Sequence, residues 1–65
     1  MSLSLAEFQL GLMVGSLETA MAINDVKRMK ELISRIEEKI QEIEQLGAKA
    51  SKDAWSVLKA AKARV

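Results

Sequence analysis

The chain has no cysteine, histidine, tyrosine or proline. Without cysteine it can form no disulfide or thiolate cluster, and without histidine the common zinc-ligand sets cannot be built. The same absences remove the most frequent nucleophiles and general bases, leaving carboxylates, lysine, serine and threonine as candidates for catalysis. We therefore expect a protein that is not an enzyme and that uses no metal or other cofactor.

Aromatic residues are also scarce, since Phe8 and Trp55 are the only two, although 49% of the residues are hydrophobic. Val and Ile are too few, and alternation of apolar and polar residues too rare, to predict a sheet. The fold class predicted is all-α, with residues 1–65 as a single domain. A chain of this size buries only about 60% of its unfolded surface, so its core is marginal. With disulfides and metal excluded, assembly with other chains is the remaining way to stabilise it.

Charge is nearly balanced, with a net value of +1, but it is unevenly distributed. Residues 1–24 sum to −2, residues 25–46 to −1 and residues 47–65 to +4. The uncharged run from Phe8 to Leu17 is about half of what a bilayer requires, and no basic segment precedes it. We expect a cytoplasmic protein without a membrane span and with no overall attraction to nucleic acid.

A first helix is predicted over residues 4–22. Ser4 and Glu7 have the spacing of a capping box, and Leu3 and Phe8 that of a hydrophobic staple. One apolar seam follows at spacings of 4, 3, 4 and 3, formed by Ala6, Leu10, Met13, Leu17 and Ala20. Further apolar residues lie outside this seam, namely Leu5, Leu12, Val14 and Met21. One neighbouring helix cannot cover both groups, so this helix must be enclosed on at least two sides.

Asn24 and Asp25 separate this apolar segment from a densely charged one. Asn tolerates the left-handed conformation that ends a helix, and Asp25 can cap the next helix. A second helix over residues 25–46, antiparallel to the first, is predicted from the heptad seam Val26, Met29, Ile33, Ile36, Ile40 and Ile43, which Leu32 and Leu46 widen. Its outward residues are charged and include Arg28, Glu31, Arg35, Glu38 and Glu42.

Gly47 stands where a glycine commonly ends a helix. The heptad phase nevertheless continues through Gly47, Ala50, Ala54, Val57 and Ala61, so a single helix over residues 25–64 is the alternative. We favour a break, because Ser51 is a suitable N-cap and the bulky residues leave the old phase. The third helix, over residues 51–64, has a thin apolar face formed by Ala54, Leu58, Ala61 and Val65, with Trp55 beside it.

Gly11, Gly15 and Thr19 form a row of small residues along the first helix, which permits close approach of another helix. Two glycines inside a helix cost about 1 kcal/mol each relative to alanine, and a close contact would offset that cost. The predicted oligomer is a helix bundle of two or more copies. Its interface is predicted to comprise Leu10, Gly11, Met13, Val14, Gly15, Leu17, Met21, Ile33, Ile36, Ile40 and Ile43.

The basic C-terminal segment is a second candidate contact region. Lys52, Trp55, Lys59, Lys62 and Arg64 could contact a partner or an anion, although basic residues near a helix end also complement its dipole. The carboxylates Glu37, Glu38, Glu42 and Glu44 could be offered as a metal site, but their interleaving with Lys39 is typical of a solvated helix face.

Residues 20–33 resemble the core of a small uncharacterised bacterial helical family with the pattern A-I-x-x-G-D-L-x-x-M-K-x-L. The matching positions are Ala20, Asp25, Val26, Met29, Lys30 and Leu32, with Asn24 in place of the glycine and Val26 in place of the leucine. Helix reversals such as those of ankyrin repeats have a similar pattern. The resemblance therefore implies a helical hairpin and no particular chemistry.

These observations predict a non-enzymatic interaction or assembly protein, a homo-oligomer that presents charged faces to a protein partner. One alternative is a nucleic-acid or anionic-surface binder acting through the basic C-terminal segment, with affinity that falls steeply with salt. Another is a carrier of a small ligand in a pocket between subunits near Gly11 and Gly15.

Overall fold

The computed structural model describes residues 2–65, which form three α-helices: α1 (Leu3–Ala22), α2 (Val26–Gln45) and α3 (Lys52–Lys62). A short connection joins α1 to α2. Lys39 Nζ, late in α2, donates a hydrogen bond to Gln9 Oε1, early in α1, at 2.8 Å. Because the late part of α2 thus lies beside the early part of α1, the two helices form an antiparallel hairpin. The predicted all-α fold is confirmed. No helix within residues 2–65 has both the length and the apolar character needed to cross a bilayer.

The N-terminus of α1 differs from the prediction. Ser2 caps the helix, and its Oγ accepts a hydrogen bond from the backbone N–H of Leu5 at 3.1 Å. Both serines are suitable caps, but capping at Ser2 lets the helix begin at Leu3, whose side chain packs against the core. Ser4 then lies inside the helix, so the capping box predicted at Ser4 and its hydrophobic staple are wrong.

The reversal between α1 and α2 follows the prediction. Asn24 has φ 59°, in the left-handed region that Asn tolerates better than most residues. Asp25 caps α2, and its Oδ1 accepts from the backbone N–H of Arg28 at 3.2 Å. The Arg64 guanidinium donates to Asn24 Oδ1. The C-terminus of the chain is therefore tied to this reversal.

Gly47 ends the second helical segment with φ +88°, a conformation that favours glycine. Ser51 caps α3, and its Oγ accepts from the backbone N–H of Ala54 at 3.2 Å. The predicted break is confirmed, and the alternative of one helix over residues 25–64 is wrong. The change of direction brings α3 back against α1.

Alanine at Gly47 and at Gly11 is expected to change stability in opposite directions. Gly47→Ala should lower the free energy of unfolding by about 1 kcal/mol, because a side chain is strained at positive φ. Gly11→Ala should raise it by roughly 0.5 to 1 kcal/mol, because an added Cβ meets nothing within 4 Å and alanine favours the helix. Urea unfolding of both variants, followed by circular dichroism, measures this contrast. Two shifts of the same sign would contradict it.

The core lies where the three helices meet and is aliphatic apart from one methionine. Its buried residues are Ala6, Leu10, Val14, Leu17 and Ala20 from α1, Met29, Leu32, Ile33, Ile36, Ile40 and Ile43 from α2, and Ala54, Leu58 and Ala61 from α3. Val26, Leu46 and Val65, predicted to lie on apolar faces, are exposed because they sit at helix ends beyond this meeting point. The rest of the α2 seam is buried as predicted, whereas in α1 the seam residue Met13 is half-buried and Val14, predicted to lie outside the seam, is buried.

Candidate interaction surface

Most of the large side chains predicted to join one copy to another are used inside a single chain. Leu17 is completely buried, and Leu10 and Val14 are 4% and 5% exposed. The α2 residues Ile33, Ile36, Ile40 and Ile43 are buried as well. These residues are buried because α2 and α3 pack against two sides of α1, and an interface formed by them stays a prediction. Copies could meet through these side chains only by opening the core.

The remaining residues of the predicted interface are less buried. Met13 and Met21 are half-buried and pack against the core. Gly11 and Gly15 are exposed, and a Cβ added to either would meet nothing within 4 Å. Within residues 2–65, no helix approaches Gly11 or Gly15 as closely as the sequence predicts.

The side of α1 that points away from the core is apolar. Its residues follow one another at spacings of 3, 4, 3, 4 and 3, and we call Leu5, Phe8, Leu12, Gly15, Thr19 and Ala22 the outer face of α1. Phe8 is 64% exposed, Leu12 58% and Leu5 46%. Because residues at these spacings stack along one side of a helix, the three large side chains form a continuous apolar patch.

The second half of the outer face of α1 is made of small residues. Thr19 Oγ1 donates to the backbone carbonyl of Gly15 at 3.2 Å. This bond satisfies the hydroxyl within the helix, so the threonine presents its methyl group at little polar cost. Ile23, four residues beyond Thr19, caps the helix and is 66% exposed. None of the residues on the outer face of α1 is charged, and neither is Ile23 beyond it.

Charged residues lie on both edges of this face. Glu7 and Glu18 are on the side next to α3, where they line recesses between the two helices. On the other side, Lys39 binds Gln9 and also contacts Glu42 Oε2 at 3.3 Å, while Arg28 lies near Thr19 and Ile23. An apolar surface with a polar rim is the usual anatomy of a protein-protein interface.

A small recess beside Gly11 is the structure's counterpart of the predicted ligand pocket. It measures about 140 Å³ and is lined by Leu10, Gly11 and Val14 from α1 and by residues at the start of α3. Gly15 does not line it. The recess is formed within one chain, whereas the pocket predicted from the sequence lies between subunits.

The basic segment is only partly gathered around Trp55. Trp55, Leu58, Lys59 and Lys62 line an open recess of about 350 Å³, and Trp55 is 47% exposed. Lys62 Nζ lies 2.6 Å from Glu37 Oε2, and Arg64 binds Asn24, so both cations already have partners within the chain. Lys52 and Arg64 do not line the recess. The positive charge available to an anion there is smaller than the sequence suggests.

The carboxylates of α2 are spread along its surface. In the part of the chain that the structure describes, no three acidic side chains come together as a possible metal site. Comparisons with protein families, curated proteins and solved structures found no match to this chain. The resemblance of residues 20–33 to a bacterial helical family therefore rests on those residues alone.

Proposed function

We propose that this chain is a non-enzymatic interaction and assembly protein that associates with copies of itself through the outer face of α1. The observation that carries the proposal is the exposure of Phe8, one of the two aromatic residues of the chain, on the side of α1 opposite the core. A 65-residue chain with two aromatic residues gains stability by burying such a side chain. Its exposure is a cost that association removes.

The shape of the patch supports the same proposal. Single exposed apolar residues are common on monomeric proteins, but a contiguous row is not. Leu5, Phe8 and Leu12 are such a row, and no charged residue interrupts it. The largest patch on a monomer is often functional, and association is the function that an apolar helix face best serves.

The outer side of α2 is the candidate surface for a protein partner. Glu31, Arg35 and Glu38 are exposed there, with both signs of charge interspersed. Such a surface keeps an assembled protein soluble and selects partners by charge complementarity. Association through α1 leaves this side of the molecule accessible.

Sedimentation equilibrium tests the self-association directly. The apparent mass should rise above the 7.2 kDa of one chain as concentration increases. Phe8→Lys should hold the mass at that of a single chain, because it places a charge in the middle of the apolar patch. Circular dichroism should show the same helix content for both proteins, since Phe8 takes no part in the core.

Leu46→Lys is the matched control. Leu46 is also a large exposed apolar residue, but it lies at the C-terminal end of α2 and outside the outer face of α1. We expect this variant to associate as the original protein does. Equal effects of the two lysines would mean that association is unspecific, and an original protein that stays at one chain's mass would refute the proposal.

A further inference from the structure

Within the helix, the outer face of α1 has large residues in its N-terminal half and small residues in its C-terminal half, and the exposed Ile23 follows at the C-cap. Leu5, Phe8 and Leu12 occupy its N-terminal half, and Gly15, Thr19 and Ala22 continue the same spacing in its C-terminal half. All six positions are exposed. The face therefore carries bulky side chains in one half and small ones in the other. How well a second helix fits this face depends on whether it runs parallel or antiparallel to α1.

Two identical helices can meet on this face in two orientations. In a parallel pair each residue meets its own copy, so Phe8 crowds Phe8 while Gly15 faces Gly15 across a gap. In an antiparallel pair Leu5 lies opposite Ala22, Phe8 opposite Thr19, and Leu12 opposite Gly15. Each large side chain then meets a small one, and the face is complementary to itself.

A second copy is also the occupant that size and charge favour. A 20-residue helix is about 30 Å long, so a stripe about 12 Å wide along α1 covers on the order of 400 Å². Two such stripes give roughly 800 Å², the size of a weak, reversible interface. The net charge of +1 creates little repulsion between copies. The antiparallel pair brings the edges that carry Glu7 and Glu18 side by side, but exposed like charges cost only a few tenths of a kcal/mol.

We infer that two copies form a two-fold symmetric dimer in which the α1 helices pack antiparallel, with Leu12 of each copy seated over Gly15 of the other. This inference rests on the proposed self-association and adds its orientation and register. It also gives the exposed glycine a role that the single chain does not supply. Gly15, which has no side chain, leaves room for a leucine from a facing helix.

Cysteine cross-linking tests the orientation, because the chain contains no cysteine of its own. In the antiparallel dimer the two copies of residue 5 are about 26 Å apart along the helix, far beyond the ~4.4–6.8 Å between Cα atoms that a disulfide spans. Leu5→Cys alone should therefore form no disulfide dimer under mild oxidation. A mixture of Leu5→Cys and Ala22→Cys chains should form the mixed disulfide. Ser34→Cys, on the exposed side of α2, measures random cross-linking.

The outcomes separate the orientation from the self-association. Efficient cross-linking of Leu5→Cys to itself would overturn the antiparallel arrangement while leaving self-association intact. Cross-linking of every variant at the Ser34→Cys level, with a protein that sediments as one chain, would overturn both. The mixed disulfide alone supports both.

Filling the space over Gly15 gives a second test of the register. Gly15→Leu should raise the dissociation constant of the dimer by at least about tenfold, because it occupies the place of the partner's Leu12. The same substitution should raise the midpoint of urea unfolding at low concentration, since leucine favours the helix and the site is open. A tighter dimer for this variant would overturn the register.

Discussion

Leu17→Ala is expected to remove a large part of the free energy of unfolding, about 2 to 5 kcal/mol. Leu17 is completely buried in the middle of α1, where α2 and α3 both pack against that helix. The substitution leaves a cavity that rigid helices cannot close, which adds to the lost hydrophobic burial. A folded chain of 65 residues has a total stability of only about 3 to 10 kcal/mol. Urea unfolding at low protein concentration measures the loss.

Leu12→Ala is the matched control, since it makes the same chemical change five positions earlier in the same helix. Leu12 is mainly exposed in the single chain, so its replacement should change the free energy of unfolding by less than about 0.5 kcal/mol. Comparable losses for the two variants at low concentration would contradict the assignment of one side of α1 to the core and the other to the surface.

Leu58→Ala is expected to release α3 from the rest of the chain. The buried residues of α3 are Ala54, Leu58 and Ala61, so Leu58 supplies the one large side chain among them. Its truncation should cost about 2 to 5 kcal/mol. An 11-residue helix is too short to persist alone in water, and the remaining ion pair between Lys62 and Glu37 is exposed and weak. We expect α3 to unfold while residues of the α1–α2 hairpin retain partial protection.

Hydrogen exchange followed residue by residue distinguishes this local loss from global unfolding. In Leu58→Ala the amides of α3 should exchange much faster, and those of α2 around Ile36 should remain slower than in α3. Lys59→Ala, the adjacent exposed position, should leave protection in α3 unchanged. Equal acceleration in all three helices would show that α3 is not a separable unit.

Local features of the fold were predictable because their signals are local. The reversal at Asn24 and Asp25 and the break at Gly47 each depend on residues with distinctive backbone preferences. Ser51 as the cap of α3 belongs to the same group. The prediction of where α1 begins failed for a local reason as well. Ser2 and Ser4 are both suitable caps, and capping at Ser2 includes Leu3 in the helix, where it packs against the core.

The position of the interaction surface could not be predicted in the same way. A heptad seam indicates that a helix packs against another helix, but it does not say whether that helix belongs to the same chain. Val14 lies outside the predicted seam but is buried, and it borders the recess lined by Asp53 and Ala54 of α3. Once α3 has taken that side, the apolar surface left over is the outer face of α1. The prediction that α1 is enclosed on at least two sides is met within one chain by α2 and α3, and Phe8 and Leu12 lie on the side that neither helix covers.

A dilution series followed by two-dimensional ¹H–¹⁵N NMR is the most direct measurement of the central claim, that one side of α1 holds the chain's own core and the other holds a second copy. We predict that amide signals of Leu5, Phe8, Leu12 and Gly15 shift as concentration falls from ~1 mM to ~10 µM, a range that spans the affinity of a small interface. Signals of Glu31 and Arg35, which are exposed on α2, should shift far less. Concentration-independent spectra, or shifts confined to α2 and α3, would contradict the claim.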